Sequence, residues 1–252
     1  MRRIVSILFF IFIVFGLYEG ENVYGVEPCG SMQINTGGHV HFIITDPQGR
    51  RTGYDPILDR GFDEDPKAAY SDISHGDDET GKPPEKTSIE FGINPGYALD
   101  GIYKVQVIGM KLGIYRLTVF FSQCDPQTDT LKRERIRLKG VSDYGSSSNL
   151  ELTFNKTPGQ PLGVIRTATI NSTKIDVETS YKVGWITNKG IMQSLLAKLD
   201  AAESALNRGE KKTASNQLNA FINEVKVQTT VHIKPECAEM LIEDAEYILG
   251  HL

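Results

Sequence analysis

The segment Gly101-Ile-Tyr-Lys-Val-Gln-Val107 is followed closely by Gly113-Ile-Tyr-Arg-Leu-Thr-Val119. In each copy a tyrosine and two aliphatic residues fall on alternate positions: Tyr103, Val105 and Val107, then Tyr115, Leu117 and Val119. Alternation of this kind marks a strand that buries one face. The intervening Gly109-Met-Lys-Leu-Gly113 has the length of a hairpin connection. The repeat therefore predicts an antiparallel hairpin at the centre of the protein. A hairpin alone is not stable in water, so further strands must cover its apolar face.

Those strands are legible on both sides. His39-Val-His-Phe-Ile-Ile-Thr45 alternates through Val40, Phe42 and Ile44 and runs into Asp46-Pro47-Gln48-Gly49, a composition suited to a type I turn. Ile89, Phe91 and Ile93 alternate up to Asn94-Pro95-Gly96. Residues 131–138, 149–154 and 164–170 carry further strand patterns, and the set favours a sandwich or open barrel. Residues 55–86 lose periodicity and gather Asp59, Asp63, Glu64, Asp65, Asp72, Asp77, Asp78 and Glu79, which reads as a long acidic loop.

From about Lys174 the period becomes 3.6. Ile191, Leu195, Leu199, Ala202 and Leu206 mark one helix that stops at Asn207-Arg208-Gly209. Ala214, Leu218, Phe221, Ile222 and Val225 mark a second, and a third opens at Pro235, a residue suited to a first helical turn. A shorter helix ending near Gly184-Trp185 precedes them. The short connections predict antiparallel neighbours, with Trp185 or the sheet sealing one end of the bundle. The expected class is α+β: an N-terminal antiparallel β-sandwich over residues 26–170, then a small antiparallel helical bundle over residues 171–252.

The N-terminus carries the pattern of an export signal over residues 1–25. Met1-Arg2-Arg3 supplies the positive end, residues 4–17 the apolar run, and Val23-Tyr24-Gly25 the small-residue site. The apolar run is shorter than the ~20 residues a spanning helix needs, so the sequence predicts a secreted or periplasmic protein whose only membrane contact is this signal. A net charge of −5 argues against general nucleic-acid binding, which needs basic surface to displace counterions. In an oxidising compartment Cys29 and Cys124 are the expected disulfide, worth roughly 2–4 kcal/mol. Cys237 then remains, on a helical face with Met240, Leu241, Ala245 and Ile248, as a buried thiol.

At Gly184-Trp-Ile-Thr-Asn-Lys-Gly-Ile191, Ser194-Leu-Leu-Ala-Lys-Leu199 and Ala214-Ser-Asn-Gln-Leu-Asn-Ala-Phe-Ile-Asn-Glu-Val225 the chain resembles the FIMAH helical domain, which occurs at the ends of secreted bacterial proteins. Gln228-Thr-Thr-Val-His232 departs from the usual turn of that pattern. The stretch Thr45-Asp-Pro-Gln-Gly-Arg-Arg-Thr-Gly-Tyr-Asp-Pro56, with the paired Gly-x-Tyr strands, is similar to β modules of secreted bacterial proteins. Both resemblances imply an accessory role and assign no catalytic residue.

Three groups of residues merit attention as sites. Arg133, Arg135, Arg137 and Lys139 recur at every second position and so line one strand face, opposite Ile136 and Leu138. Such a ladder can grip an anionic glycan or phosphate, or can protect an edge strand from aggregation. The acidic loop offers oxygens to calcium, with Asp63, Asp65, Asp77 and Asp78 the best placed, although their spacing matches no twelve-residue calcium loop; no other cofactor is expected. His39 and His41 share a strand face without a third metal ligand at a telling distance. Gly76-Asp-Asp-Glu-Thr-Gly81-Lys82 has phosphate-loop spacing but carries Pro83 in place of a hydroxyl, and acidic side chains that repel phosphate. No nucleophile elbow, zinc-protease motif or Cys-x-x-Cys occurs.

The sequence thus predicts an exported, non-catalytic binding or assembly module with a protein or glycan partner outside the cytoplasm. The alternatives are a hydrolase of cell-surface polymers that uses carboxylates of the acidic loop, and a purely structural envelope component.

Overall fold

The computed structural model describes residues 30–73, 87–125 and 130–252. The expected signal segment 1–25, Cys29, the phosphate-loop-like segment 76–82, and Asp77 and Asp78 lie outside these residues. Along the chain the strands are β1 Ser31–Gly38, β2 Val40–Thr45, β3 Arg51–Asp55, β4 Arg60–Asp63, β5 Ala68–Asp72, β6 Thr87–Ile93, β7 Gly101–Gly109, β8 Gly113–Asp125, β9 Thr130–Ser142, β10 Ser147–Phe154 and β11 Gly163–Thr167. Four helices follow: α1 Ile170–Lys182, α2 Lys189–Asn207, α3 Lys211–Gln228 and α4 Pro235–Gly250. The class is α+β, a β-sandwich followed by helices.

The strands form two antiparallel sheets, ordered β5-β6-β1-β8-β9 and β11-β10-β7-β2-β3-β4. Their inner faces meet in one core. Met32, Ile34, Phe91, Leu117, Val119 and Phe121 of the first sheet pack on Val40, Phe42, Ile44, Val105, Leu152 and Phe154 of the second. Every one of these residues belongs to an alternating row, so burial of one face per strand accounts for both sheets.

The repeated segments are both strands, yet they do not form a hairpin. β7 lies in the second sheet and β8 in the first. Gly109–Gly113 is therefore an arch between sheets, and Tyr103, Val105 and Val107 face Tyr115, Leu117 and Val119 across the core. Alternation reports which face is buried, and it is satisfied equally by pairing side by side and by stacking face to face. The arch is one of three at the same end of the sandwich. Met110 N–H donates to His39 O of the β1–β2 crossing at 2.8 Å, and Gly109 N–H donates to Ser146 O of the β9–β10 crossing at 2.9 Å.

The stretch 55–86 also departs from a featureless loop, because β4 and β5 lie within it. Each pairs on one side only, β4 with β3 and β5 with β6. As edge strands they expose most of their side chains, so their sequences need no apolar row.

Helix α1 begins at Ile170, ahead of the periodicity visible at Lys174. Thr169 is its N-cap and forms a reciprocal capping box with Ser172. Asn188 caps α2, and Pro235 opens α4. Leu195, Leu199, Leu218, Phe221, Val225, Leu241 and Ala245 fill the bundle core. Trp185 is buried there, and so is Val141 of β9, so the indole and the sheet both close the bundle.

The bundle seals one open side of the sandwich. β9 and β11 are terminal strands of their sheets, and α4 packs against both. Arg166 of β11 pairs in register with the core residue Leu150 and so faces inward. Its guanidinium reaches Asp244 of α4 at 3.0 Å and Asp176 of α1 at 3.4 Å. All three side chains are buried. Two carboxylates around one cation leave one negative charge in excess. Burial and the Asp244 carboxylate push Asp176 well above the usual carboxylate range, against the opposing pull of Arg166.

Two predictions follow from this seam. An unfolded Asp176 titrates near 3.9, roughly the free value. Above that pH the folded state keeps a proton the unfolded chain has lost, so stability falls as pH rises toward the folded pKa. Urea denaturation should show Asp176→Asn gaining on the wild type as pH rises above about 4, the value of the unfolded carboxyl. Arg166→Met leaves Asp244 buried without its cation and should lower stability by about 3–5 kcal/mol in the same assay.

Candidate functional site

The outer face of the first sheet carries the basic row. β9 is the edge strand there, paired only with β8. Arg133, Arg135, Arg137 and Lys139 are all exposed on it, while Ile136 and Leu138 pack toward the core. Register sets Ser122, Phe120, Thr118 and Arg116 of β8 opposite these four cations in turn. The basic surface thus extends to Arg116, on an interior strand. Beyond it β1 adds Gln33 opposite Phe120 and Asn35 opposite Thr118. Lys139 is already engaged: its Nζ lies 2.8 Å from Oε1 of Glu236 in the first turn of α4, which holds that carboxyl below its ordinary pKa. Arg116, Arg135 and Arg137 form no ion pair among the described residues.

The two described members of the acidic set part company. Asp65 is buried, with one carboxylate oxygen accepting from Arg50 Nη2 at 3.1 Å and the other from Lys67 N–H at 3.0 Å. Arg50 also binds Asp46, whose carboxylate accepts from Arg50 Nε at 2.7 Å and from the backbone of Gln48 and Arg50. This network ties the β2–β3 turn to the start of β5. Asp63 instead is exposed at the end of β4. Among the described residues no three His, Cys, Asp or Glu side chains gather to hold a metal.

His41 is buried, with Nδ1 2.8 Å from the Tyr70 hydroxyl and its ring edge-on to Tyr54. Burial lowers its pKa, so the imidazole stays neutral at physiological pH. Cys124 is disulfide-bonded. Cys237 is free and buried, its thiol pushed up by burial to about 12 and hence unreactive.

A second surface has no counterpart in the sequence reading. Across the outer face of the second sheet runs a groove of about 510 Å³. Two side-chain rows floor it. One is Ile43, Gln106, Asn149 and Thr167, and the other is Arg51, Thr45, Lys104 and Glu151. The β3–β4 hairpin, with Leu58 and Phe62, walls one end, and Tyr247 of α4 walls the other. The polar residues of β7 and β10 alternate with the buried rows, but nothing local reveals that a helix far along the chain closes them into a groove.

The comparisons with known proteins bear on the helical part. Residues 171–250 match the family model of the FIMAH domain. The C-terminal bundle is a FIMAH domain. That domain is found in surface-associated proteins, and it covers less than half of this chain. No curated protein and no solved structure matches. Among the described residues no helix is long and apolar enough to cross a membrane.

Arg50→Ala should leave the buried Asp46 and Asp65 carboxylates without their cation and lower stability by about 1–3 kcal/mol, measured by chemical denaturation.

Proposed function

We propose that the protein is an exported, non-catalytic recognition module that binds an anionic glycan outside the cytoplasm through the outer face of its first sheet. The observation that carries this reading is Arg116. Charge on β9 alone is explained by the need to keep an exposed edge from pairing with other chains. Arg116 is on β8, which has neighbours on both sides and needs no such protection. It stands directly opposite Lys139, whose charge is already taken up by Glu236, so the guanidinium of Arg116 is left without a carboxylate among the described residues. A bound polyanion would supply one.

The chemistry of the surface suits the ligand. Arginine forks bind carboxylate, sulfate or phosphate oxygens in two-pronged fashion. Thr118 and Ser122 add neutral donors and acceptors between them. Nucleic acid is a poorer fit, since the net charge of −5 opposes long-range attraction of a polyanionic duplex. The non-catalytic reading is supported by the state of the buried carboxylates: Asp46 and Asp65 are held by Arg50, and Asp176 and Asp244 by Arg166. The FIMAH domain supports the location at a cell surface.

A glycan and lipid array probed with purified protein tests the proposal. Acidic glycans should be retained at about 0.05 M salt and released at about 0.5 M, where screening reaches the contact distance. Arg135→Ala should weaken the signal and Arg116→Glu abolish it, with the fold intact by circular dichroism. Retention that ignores both Arg116→Glu and salt would refute the assignment.

A further inference from the structure

The groove on the second sheet lies on the face of the sandwich opposite the basic row, and its chemistry is different. Its lining charges balance in number, Arg51 and Lys104 against Asp55 and Glu151. Arg51 is held by Glu64 at 2.7 Å, and Asp55 caps the turn by accepting from Ile57 and Leu58 N–H. Lys104 and Glu151 are cross-strand neighbours of opposite sign. A floor with so little net field gives no preference to polyanions or polycations.

What remains is hydrogen-bonding capacity. Gln106 and Asn149 sit side by side in register, and neither side chain has a partner within the described protein. Each amide presents donors and acceptors together, which is the pairing a sugar hydroxyl needs. Thr45 and Thr167 flank them with hydroxyls. The run from β3 to β11 crosses four interstrand spacings of about 4.8 Å, roughly 19 Å in all, long enough for several sugar rings end to end. Tyr247 at the α4 wall is fixed in advance by stacking on His251 at 4.1 Å, so little ordering is needed when a ring packs beside it.

We propose that this groove binds an uncharged oligosaccharide chain, laid across the strands from the β3–β4 hairpin to α4. The site is composite, because the FIMAH domain supplies one wall and the sandwich supplies the floor. It does not depend on the basic face, and the two assignments fail separately.

Isothermal titration of the full chain with neutral saccharides from disaccharide to hexasaccharide (cello-, xylo-, chito- and malto-series) tests it. One series should bind with affinity that rises with chain length and is insensitive to salt. Gln106→Ala with Asn149→Ala should weaken that binding about fivefold or more for each hydrogen bond removed. Tyr247→Ala should reduce the gain from longer chains, while Arg135→Ala leaves binding unchanged. All these side chains are at the surface, so the variants should fold as the parent does. No saturable binding in any series, or binding unaffected by the double substitution, would overturn the proposal. So would binding abolished by Arg135→Ala, which would move the saccharide to the other sheet.

Discussion

The arrangement of this molecule depends on one cation and two carboxylates buried where its parts meet. Arg166 points inward from the last strand of one sheet, on the side where the sandwich is open. Without the bundle its charge would stand beside the apolar edge of a core. Without the strand, the bundle would hold Asp176 and Asp244 together with nothing between them. Each part thus carries a fragment of a charge network that is tolerable only when the other part completes it. Such networks add little net stability, because desolvation offsets most of the attraction. Their effect is on register: a docking that misaligned α4 against β11 would strand a buried charge. The exposed pairs at the rim, Lys139 with Glu236 and Lys182 with Asp143, are too screened by solvent to set that register.

This explains why the sequence was legible element by element but not in assembly. Period-two rows such as Tyr103-Val105-Val107 identified strands because one face of each strand meets the core wherever the strand goes. They did not reveal that β7 and β8 belong to different sheets, because alternation carries no information about the neighbour. The polar edge strands β4 and β5 were missed for the complementary reason: an edge exposed on most positions has no apolar row to detect. The helical part was read more completely, since caps, stops and a 3.6-residue stripe are local signals. Even there Thr169-Ile-Asn-Ser172 starts the first helix earlier than its apolar periodicity shows.

The candidate surfaces divide in the same way. The row Arg133, Arg135, Arg137 and Lys139 is visible in sequence because all four residues lie on one strand. Its extension to Arg116 depends on the pairing of β8 with β9, and the engagement of Lys139 on a contact between residues far apart in the chain. Asp65 looked like a cation ligand among other acids, whereas its partner is Arg50, fifteen positions earlier across a turn. Acidic composition alone cannot separate a carboxylate that awaits a metal from one already neutralised by a guanidinium.

The buried seam also has a consequence for the groove on the second sheet. Tyr247 follows Asp244 by one helical turn on α4, so the ion pair that docks the helix also fixes the ring that forms the wall. The floor, by contrast, is set by strand register and is indifferent to the bundle. A surface divided in this way has a rigid, polar base and one wall whose position reports how the bundle is seated. The FIMAH domain thereby shapes the surface of the sandwich as well as covering its side. By closing the open side of the sandwich it turns a flat sheet face into a concave one, and a concave face is what can surround a chain-like ligand on more than one side.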